Sequence, residues 1–200
     1  TDLPGLYVAG EDAGGAHGSN RLGGNGVANS TVYGGVAGDV MGQDCQEMKA
    51  LHDPDETVLD EELTRAMTPF SQKPGDVTAL RNRLQDVMWE DVGVMRDADG
   101  LQRGLKRIAE IDDELSSVGV AADNLAFNLS WHDWLNLRSL IDMSMVIAKA
   151  ALSRENSRGA HFREDFPDAG AMQESYFTLA SGYGDAISVT RAPVQFTIVK

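Results

Sequence analysis

Gly10-Glu11-Asp12-Ala13-Gly14-Gly15-Ala16-His17-Gly18-Ser19-Asn20-Arg21-Leu22-Gly23-Gly24-Asn25-Gly26-Val27 is the most informative stretch of this 200-residue chain. It follows an apolar run, Leu6-Tyr7-Val8-Ala9, that reads as a strand. It precedes a run of small residues that reads as a helix from Ala28 to about Met41. A strand, a glycine-dense loop and a helix, in that order, form a place where backbone can approach a ligand closely. Arg21 stands in the loop with little side-chain bulk around it. Such a loop suits the holding of a cofactor and the presentation of a guanidinium to an anionic substrate.

Outward from this loop the composition changes. Residues 1–42 hold 12 of the 21 glycines, and the remainder is charged and helical in pattern, which predicts a boundary near residue 43. Asp53-Pro54-Asp55-Glu56 reads as a helix start, with Asp53 as cap, Pro54 in the first turn and acids at the positive end of the dipole. That helix is expected to run to about Met67, followed by a linker through Pro69 and Lys73-Pro74-Gly75. Three longer stripes follow. Asp76 caps one carrying Val77, Leu80, Leu84, Val87, Met88, Val92 and Met95. Asp97 starts one carrying Leu101, Leu105, Ile108, Ile111, Leu115 and Val118. Asp123 starts the third, with Leu125, Leu129, Leu135, Leu140, Ile141, Val146, Ile147, Ala151 and Leu152, about 30 residues or some 45 Å at ~1.5 Å per residue. Apolar residues every three or four positions predict amphipathic helices, and short connections predict an antiparallel bundle. Beyond Pro167 the runs 176–179, 187–190 and 194–199 read as short strands, the first two joined by a turn at Gly182 and Gly184.

The expected fold is therefore mainly α. An antiparallel three-helix bundle follows a strand–loop–helix segment, and a small β segment closes the chain. The expected divisions are 1–42, the connecting helices of 43–75, the bundle of 76–167 and the terminal strands of 168–200.

The net charge of −14 argues against nucleic acid and anionic membrane surfaces, which call for a basic face. Apolar runs fall short of the roughly 20 residues that span a bilayer, so no direct membrane insertion is expected. A single Cys45 excludes an internal disulfide or a cysteine metal cluster. His132 and His161 stand too far in sequence from other ligand types to suggest zinc, so no metal site is expected. Asn29-Ser30-Thr31 and Asn128-Leu129-Ser130 match the short glycosylation pattern, which is common by chance. The Gly-x-Gly-x-x-Gly dinucleotide fingerprint after a first strand does not occur.

Two separated stretches carry a resemblance. Leu-Pro-Gly-Leu-Tyr-Val-Ala-Gly-Glu at 3–11 with His-Gly-Ser-Asn-Arg-Leu-Gly-Gly-Asn at 17–25 resembles the C-terminal part of the flavin domain in fumarate reductase and succinate dehydrogenase flavoprotein subunits. L-aspartate oxidase is a soluble relative of that family. The segment Ser153-Arg154-Glu155-Asn156-Ser157-Arg158-Gly159-Ala160-His161-Phe162-Arg163-Glu164-Asp165-Phe166-Pro167 is similar to the family's arginine-rich stretch after its helical domain. The two lie in the family's order. The resemblance implies a C-terminal fragment of a longer flavoprotein whose dinucleotide fingerprint lies upstream.

It also implies roles. Glu11 matches a glutamate that contacts the ribityl or ribose region of FAD, where a carboxylate suits hydroxyl donors; otherwise it caps a loop. Arg21 matches the arginine that holds a carboxylate of the dicarboxylate substrate, which a guanidinium grips with two parallel charge-assisted bonds; otherwise it is a surface arginine. Gly26 and Val27 stand where the family usually has Ser-Leu, whose backbone amides meet the flavin ring. The helix N-terminus there would set its partial positive charge near the flavin N1–C2 edge and stabilise the reduced anion. His17 reads as loop architecture. The mixed-charge segment 154–165 reads as a salt-bridge network that ties the long helix to the flavin domain or to a partner. Trp89, Trp131 and Trp134 read as bundle or interface packing, and Met143 and Met145 as core filler.

The implied reaction is hydride transfer to or from flavin N5, interconverting succinate and fumarate or a similar dicarboxylate. FAD is the implied cofactor, and the implied partner is an iron–sulfur subunit. A cytoplasmic setting is implied, peripheral at the inner face of the membrane through that partner. The fragment alone is expected neither to hold FAD tightly nor to turn over. Two rival readings are an isolated structural helical domain that docks an iron–sulfur partner, and part of an L-aspartate oxidase.

Overall fold

The computed structural model describes residues 3–14, 17, 21–48, 50, 53–182 and 186–195. The chain divides into two compact units, Thr1–Glu56 and Thr57–Lys200.

In the first unit, a 3-10 turn at Gly10–Asp12 precedes helix α1, Asn25–Glu47. Residues 6–9 approach the turn with no sheet partner among the described residues, and Ala9 is extended at φ −151° and ψ 154°. The expected strand is not assigned here, because ladder hydrogen bonds need a neighbouring strand and none pairs with this run among the described residues. Tyr7 anchors this run, since its hydroxyl donates to the Asp44 carboxylate far along α1. That bond holds the phenol above its ordinary pKa. Helix α1 starts three residues before the expected Ala28 and continues past residue 43, so the glycine-poor boundary falls inside it. Glycine costs a helix about 1 kcal/mol per residue, less than the roughly 3 kcal/mol of an interior proline, and does not end it.

All but the first residue of helix α2, Glu56–Ser71, lies in the second unit. It starts after Pro54 and runs through Pro69, four residues beyond the expected end. Pro69 survives near the C-terminus, and its own carbonyl accepts from Val120 N at 3.1 Å. Helices α3 (Val77–Glu90), α4 (Ala98–Leu115) and α5 (Leu129–Ser153) form the antiparallel bundle. Their starts are set by side-chain caps. Asp76 accepts from Ala79 N at 2.9 Å and Asp97 from Gly100 N at 2.6 Å, each satisfying an orphan first-turn amide. The third start differs from the Asp123 expectation. Asn128 is the cap, accepting from Trp131 N at 3.0 Å. Its Nδ2 donates to the carbonyls of Ala122 and Asn124, which folds residues 122–127 into a loop. Helix α5 is accordingly 25 residues long, or roughly 37 Å.

The core follows the stripes. Leu80, Leu84 and Val87 from α3, Leu101, Ile108, Ile111 and Leu115 from α4, and Trp134, Leu137, Ile141 and Ala148 from α5 are buried together. The α5 face is rotated from the expected one. Leu125, Leu129, Leu140 and Ile147 are exposed, and Met145 rather than Met143 fills the core. The tryptophans separate. Trp134 is buried and donates to the Val118 carbonyl at 2.8 Å. Trp131 donates to the Ala66 carbonyl at 2.7 Å and meets Phe70 edge-on. Trp89 is exposed, so of the two packings expected of it the bundle one does not hold.

Two parallel two-residue pairings tie the loops together: β1 (Lys73–Pro74) with β3 (Val118–Gly119), and β2 (Met95–Arg96) with β4 (Phe162–Arg163). A Cβ on Gly119 would stand 2.4 Å from the carbonyls of Pro69 and Gln72, so that approach requires glycine. The terminal hairpin pairs β5 (Tyr176–Ser181) with β6 (Ser188–Pro193) antiparallel, Tyr176 opposite Pro193 and Ser181 opposite Ser188. Gly182 takes φ +105° at the turn, while Gly184 lies outside the described residues. Of the expected last strand, Val194 and Gln195 carry no ladder and 196–200 lie outside the described residues.

Candidate functional site

Glycine makes the cleft in the first unit. Gly10 turns at φ +84°, where a side chain is strained, and it is buried against α1. A Cβ there would stand 2.8 Å from Ser30 Oγ. Its carbonyl accepts from Ala13 N at 3.1 Å, closing the 3-10 turn. Gly24, at φ +83°, is the N-cap of α1 and brings no side chain to the first-turn amides. Between these glycines opens a cleft of about 720 Å³, lined by Glu11, His17, Arg21, Gly26 and Val27 among others.

All four residues implied for substrate or cofactor, Arg21, Glu11, Gly26 and Val27, therefore share one cleft with His17. The Arg21 guanidinium packs on Gly26: a Cβ at 26 would stand 3.1 Å from its Cζ and Nη1. A side chain at 26 would push the guanidinium aside, so glycine there is coupled to the arginine's position. The cation thus lies over the uncapped positive end of α1, and both favour an anion in the same space. Glu11 is exposed on the 3-10 turn, free of burial cost and suited to hydroxyl groups. The exposed first turn, its small side chains and one carboxylate fit the ring and ribityl part of a flavin. The chain carries no matching fingerprint for the pyrophosphate end.

Asn29 and Ser30 line the same cleft, and apart from the short glycosylation pattern nothing in the sequence marks them. Asn29 is the buried residue of α1. Its Nδ2 lies 3.2 Å from the Gly10 carbonyl and 3.3 Å from His17 Nε2, joining helix, turn and loop. Ser30 Oγ donates to the Gly26 carbonyl at 3.0 Å. A polar residue four positions into a helix of small residues was the available signal.

The arginine-rich segment in the second unit is a structural network. Arg163, with 1% of its side chain exposed, grips Asp165 with two bonds of 2.7 Å. Its Nη1 donates to the carbonyls of Ala151 at 3.0 Å and Leu152 at 3.1 Å, at the negative end of α5. Asp165 in turn accepts from Ala98 N at 3.0 Å, at the positive end of α4. The hydrogen bonds from Arg163 bring the Asp165 carboxyl down to about 2. Arg154 reaches Tyr176 O and Thr178 Oγ1, and Arg158 donates to the carbonyls of Ala169 and Ala171. His161 takes the Arg96 donor on Nδ1 at 2.9 Å and faces the Arg154 carbonyl with Nε2 at 3.1 Å. That pattern describes a neutral ring, and burial lowers the His161 pKa accordingly. These partners join the ends of α4 and α5 to the terminal hairpin and leave little for a substrate. Among the described residues no group of three His, Cys, Asp or Glu side chains could hold a metal ion, and no helix is long and apolar enough to cross a membrane.

A family model described as the C-terminal part of fumarate reductase flavoproteins matches residues 81–200, more than half of the chain. An uncharacterized FAD-dependent oxidoreductase of Methanocaldococcus jannaschii is 35% identical over 170 residues, covering 84% of this chain and 30% of that protein. The fumarate reductase flavoprotein of Helicobacter pylori is 33% identical over 185 residues, covering 90% of this chain and 26% of that protein. Sdh1 of Mycobacterium smegmatis, solved in complex with UQ1, superposes with a TM-score of 0.85 at 30% identity, covering 96% of this chain and 33% of that one. The chain thus spans between a quarter and a third of the length of these relatives. All of the bundle but the first turn of α3, with its arginine-rich close, falls inside the matched model, and the structural superposition covers 96% of the chain: the chain belongs to the fumarate reductase flavoprotein C-terminal family.

Proposed function

We propose that this chain is the C-terminal part of an FAD-dependent oxidoreductase that interconverts succinate and fumarate, or a similar dicarboxylate. The observation that carries the reading is the Arg21 guanidinium packed on Gly26 at the uncapped N-terminus of α1, in a cleft that also holds Glu11 and Val27. Arg21 binds one substrate carboxylate through its planar fork and fixes the orientation of the carbon skeleton. The amides of Gly26 and Val27 would hold the flavin ring of FAD, and Glu11 would accept from its ribityl or ribose hydroxyls. Bound FAD supplies the two-electron hydride chemistry. The partial positive charge of α1 and the Arg21 cation favour negative charge developing in the cleft.

The second unit is the scaffold and, in the full assembly, the face toward an iron–sulfur subunit. In that reading the protein is cytoplasmic and meets the inner face of the membrane through its partner. The 200-residue chain alone is expected neither to hold FAD tightly nor to turn over, since the described residues form no βαβ unit to take the pyrophosphate.

The test is reconstitution of the parent flavoprotein with FAD, followed by assay with fumarate, succinate and L-aspartate. Turnover of fumarate or succinate is the expected result. Oxidation of L-aspartate without either dicarboxylate activity replaces this reading with the amino-acid oxidase one. The visible absorbance of the isolated chain is the companion measurement: a colourless preparation is expected, and stoichiometric flavin overturns the prediction for the fragment.

A further inference from the structure

Asn29 is a buried carboxamide on a helix whose other described residues are largely exposed. Its Nδ2 meets two groups, the Gly10 carbonyl at 3.2 Å and His17 Nε2 at 3.3 Å. The two ends of an amide are alike in outline, so its partners decide which end is which. A carbonyl oxygen accepts and never donates. The Gly10 oxygen therefore requires the NH2 end, since the reverse would set two oxygens face to face. With that orientation fixed by backbone, the atom facing His17 has protons to give and no lone pair to receive one. His17 Nε2 must be the bare nitrogen of a neutral imidazole, and the ring proton sits on Nδ1. The ring lines the same cleft as Arg21.

We propose that Asn29 is a positioning residue that selects the Nδ1–H tautomer of His17, so that the ring donates a hydrogen bond to a carboxylate oxygen of the ligand held by Arg21. The identity of that ligand rests on the dicarboxylate reading above; the tautomer does not. Glycine at 10 and asparagine at 29 act together here. The first supplies the carbonyl that orients the amide, and the second carries that orientation to the histidine. An aspartate at 29 would offer acceptors to both neighbours. It would draw the imidazole proton to Nε2 and repel the Gly10 carbonyl.

Nitrogen-15 NMR of the imidazole rings in the intact 200-residue chain tests the first part. Spectra are recorded over a pH series and read on the alkaline plateau, where the imidazole nitrogen shifts no longer change with pH. The His17 signals are assigned by their loss in His17→Gln. The wild type is expected to carry its proton on Nδ1. Asn29→Asp is expected to move it to Nε2, and Asn29→Ala to leave a mixture of both tautomers. A wild-type ring protonated on Nε2, or one tautomer common to all three chains, overturns the proposal. If Asn29→Asp fails to fold, the wild-type spectrum decides by itself.

The second part uses the FAD-loaded parent. Adding succinate is expected to shift the Nδ1 resonance of His17. Turnover of succinate with that resonance unmoved overturns the donor role. Failure to turn over any dicarboxylate, with the tautomer as expected, overturns the proposed function and the ligand named here while the Asn29–His17 relation stands.

Discussion

Arg163→Met removes the cation that joins the ends of two bundle helices while keeping most of the side-chain volume. In the wild type the guanidinium makes two bonds of 2.7 Å to Asp165 and two more of 3.0 and 3.1 Å to the α5 carbonyls of Ala151 and Leu152, with 1% of the side chain exposed. Its Cζ also lies 5.0 Å from the centroid of the Phe166 ring. The variant leaves two helix-end carbonyls without this donor and leaves Asp165 with the Ala98 amide. Breaking one side of a buried ion pair costs about 3–5 kcal/mol, and an unsatisfied buried acceptor about 1–3 kcal/mol. The terms overlap, and Asp165 is 30% exposed, so water recovers part of its loss. The expected destabilisation is about 3 kcal/mol. With a slope of roughly 2 kcal/mol per molar, the urea midpoint falls by about 1.5 M. Trp89, Trp131 and Trp134 all lie in the unit Thr57–Lys200, so tryptophan fluorescence reports that unit alone.

Acid supplies an independent check on the same variant. Asp165 titrates at about 2 when folded, chiefly because Arg163 hydrogen-bonds its carboxylate, against about 3.9 for a free aspartate. A lowered carboxyl pKa means that the unfolded chain takes up the proton first. The Asp165 contribution is therefore complete above about pH 4 and lost as pH falls through about 2. The stability gap between wild type and variant should narrow over that window. A variant that unfolds at the wild-type urea midpoint, or a gap that stays constant down to pH 2, would refute the reasoning.

Arg21→Lys in the parent flavoprotein should keep FAD and lose about 2–4 kcal/mol of transition-state stabilisation, roughly 10²–10³ in kcat/KM, because a point charge cannot replace the planar fork. Steady-state kinetics with wild-type turnover and wild-type KM would make Arg21 a loop residue. Gly10→Ala sets a Cβ 2.8 Å from Ser30 Oγ at φ +84°, and should raise the Kd for FAD in the parent, as measured by flavin fluorescence; an unchanged Kd would show that the turn adapts. Leu137→Ala, at a site with no exposure, should cost about 2–5 kcal/mol in urea unfolding followed by tryptophan fluorescence. His161 is held neutral with its pKa lowered chiefly by burial, so its stabilisation is complete above about pH 6.5 and declines below it. His161→Gln should flatten the pH dependence of the urea midpoint on the acid side of that value, and an unaltered profile would assign the dependence to other groups.

The three bundle helices were legible because each carries a cap and a stripe that act locally. Asp76 and Asp97 start their helices where their side chains can reach an amide three residues on, and Leu80, Leu84, Leu101, Ile108 and Leu115 are buried at the helical period. Asp123 misled because Asn128 competes for the same role, and its advantage comes from two carbonyls that its own loop brings within reach. The buried face of α5 differs from the expected one for a related reason. Apolar residues surround much of that helix, so the pattern alone does not say which side meets α3 and α4; packing buries Leu137, Ile141 and Ala148 and exposes Leu129 and Leu140.

Local chemistry thus determined the helices, the glycine loop, the place of Arg21 within it and the absence of a dinucleotide fingerprint, since each follows from residues a few positions apart. The tertiary structure decided what needs two distant segments to meet. It set Gly10 against Ser30, turned the Asn29 amide toward both Gly10 and His17, and seated Arg21 on Gly26. It also made Arg163 a clamp between α4 and α5 rather than a surface charge. A hydrogen bond or a forbidden Cβ depends on distances of a few tenths of an ångström between such segments, and those distances are fixed when the chain packs.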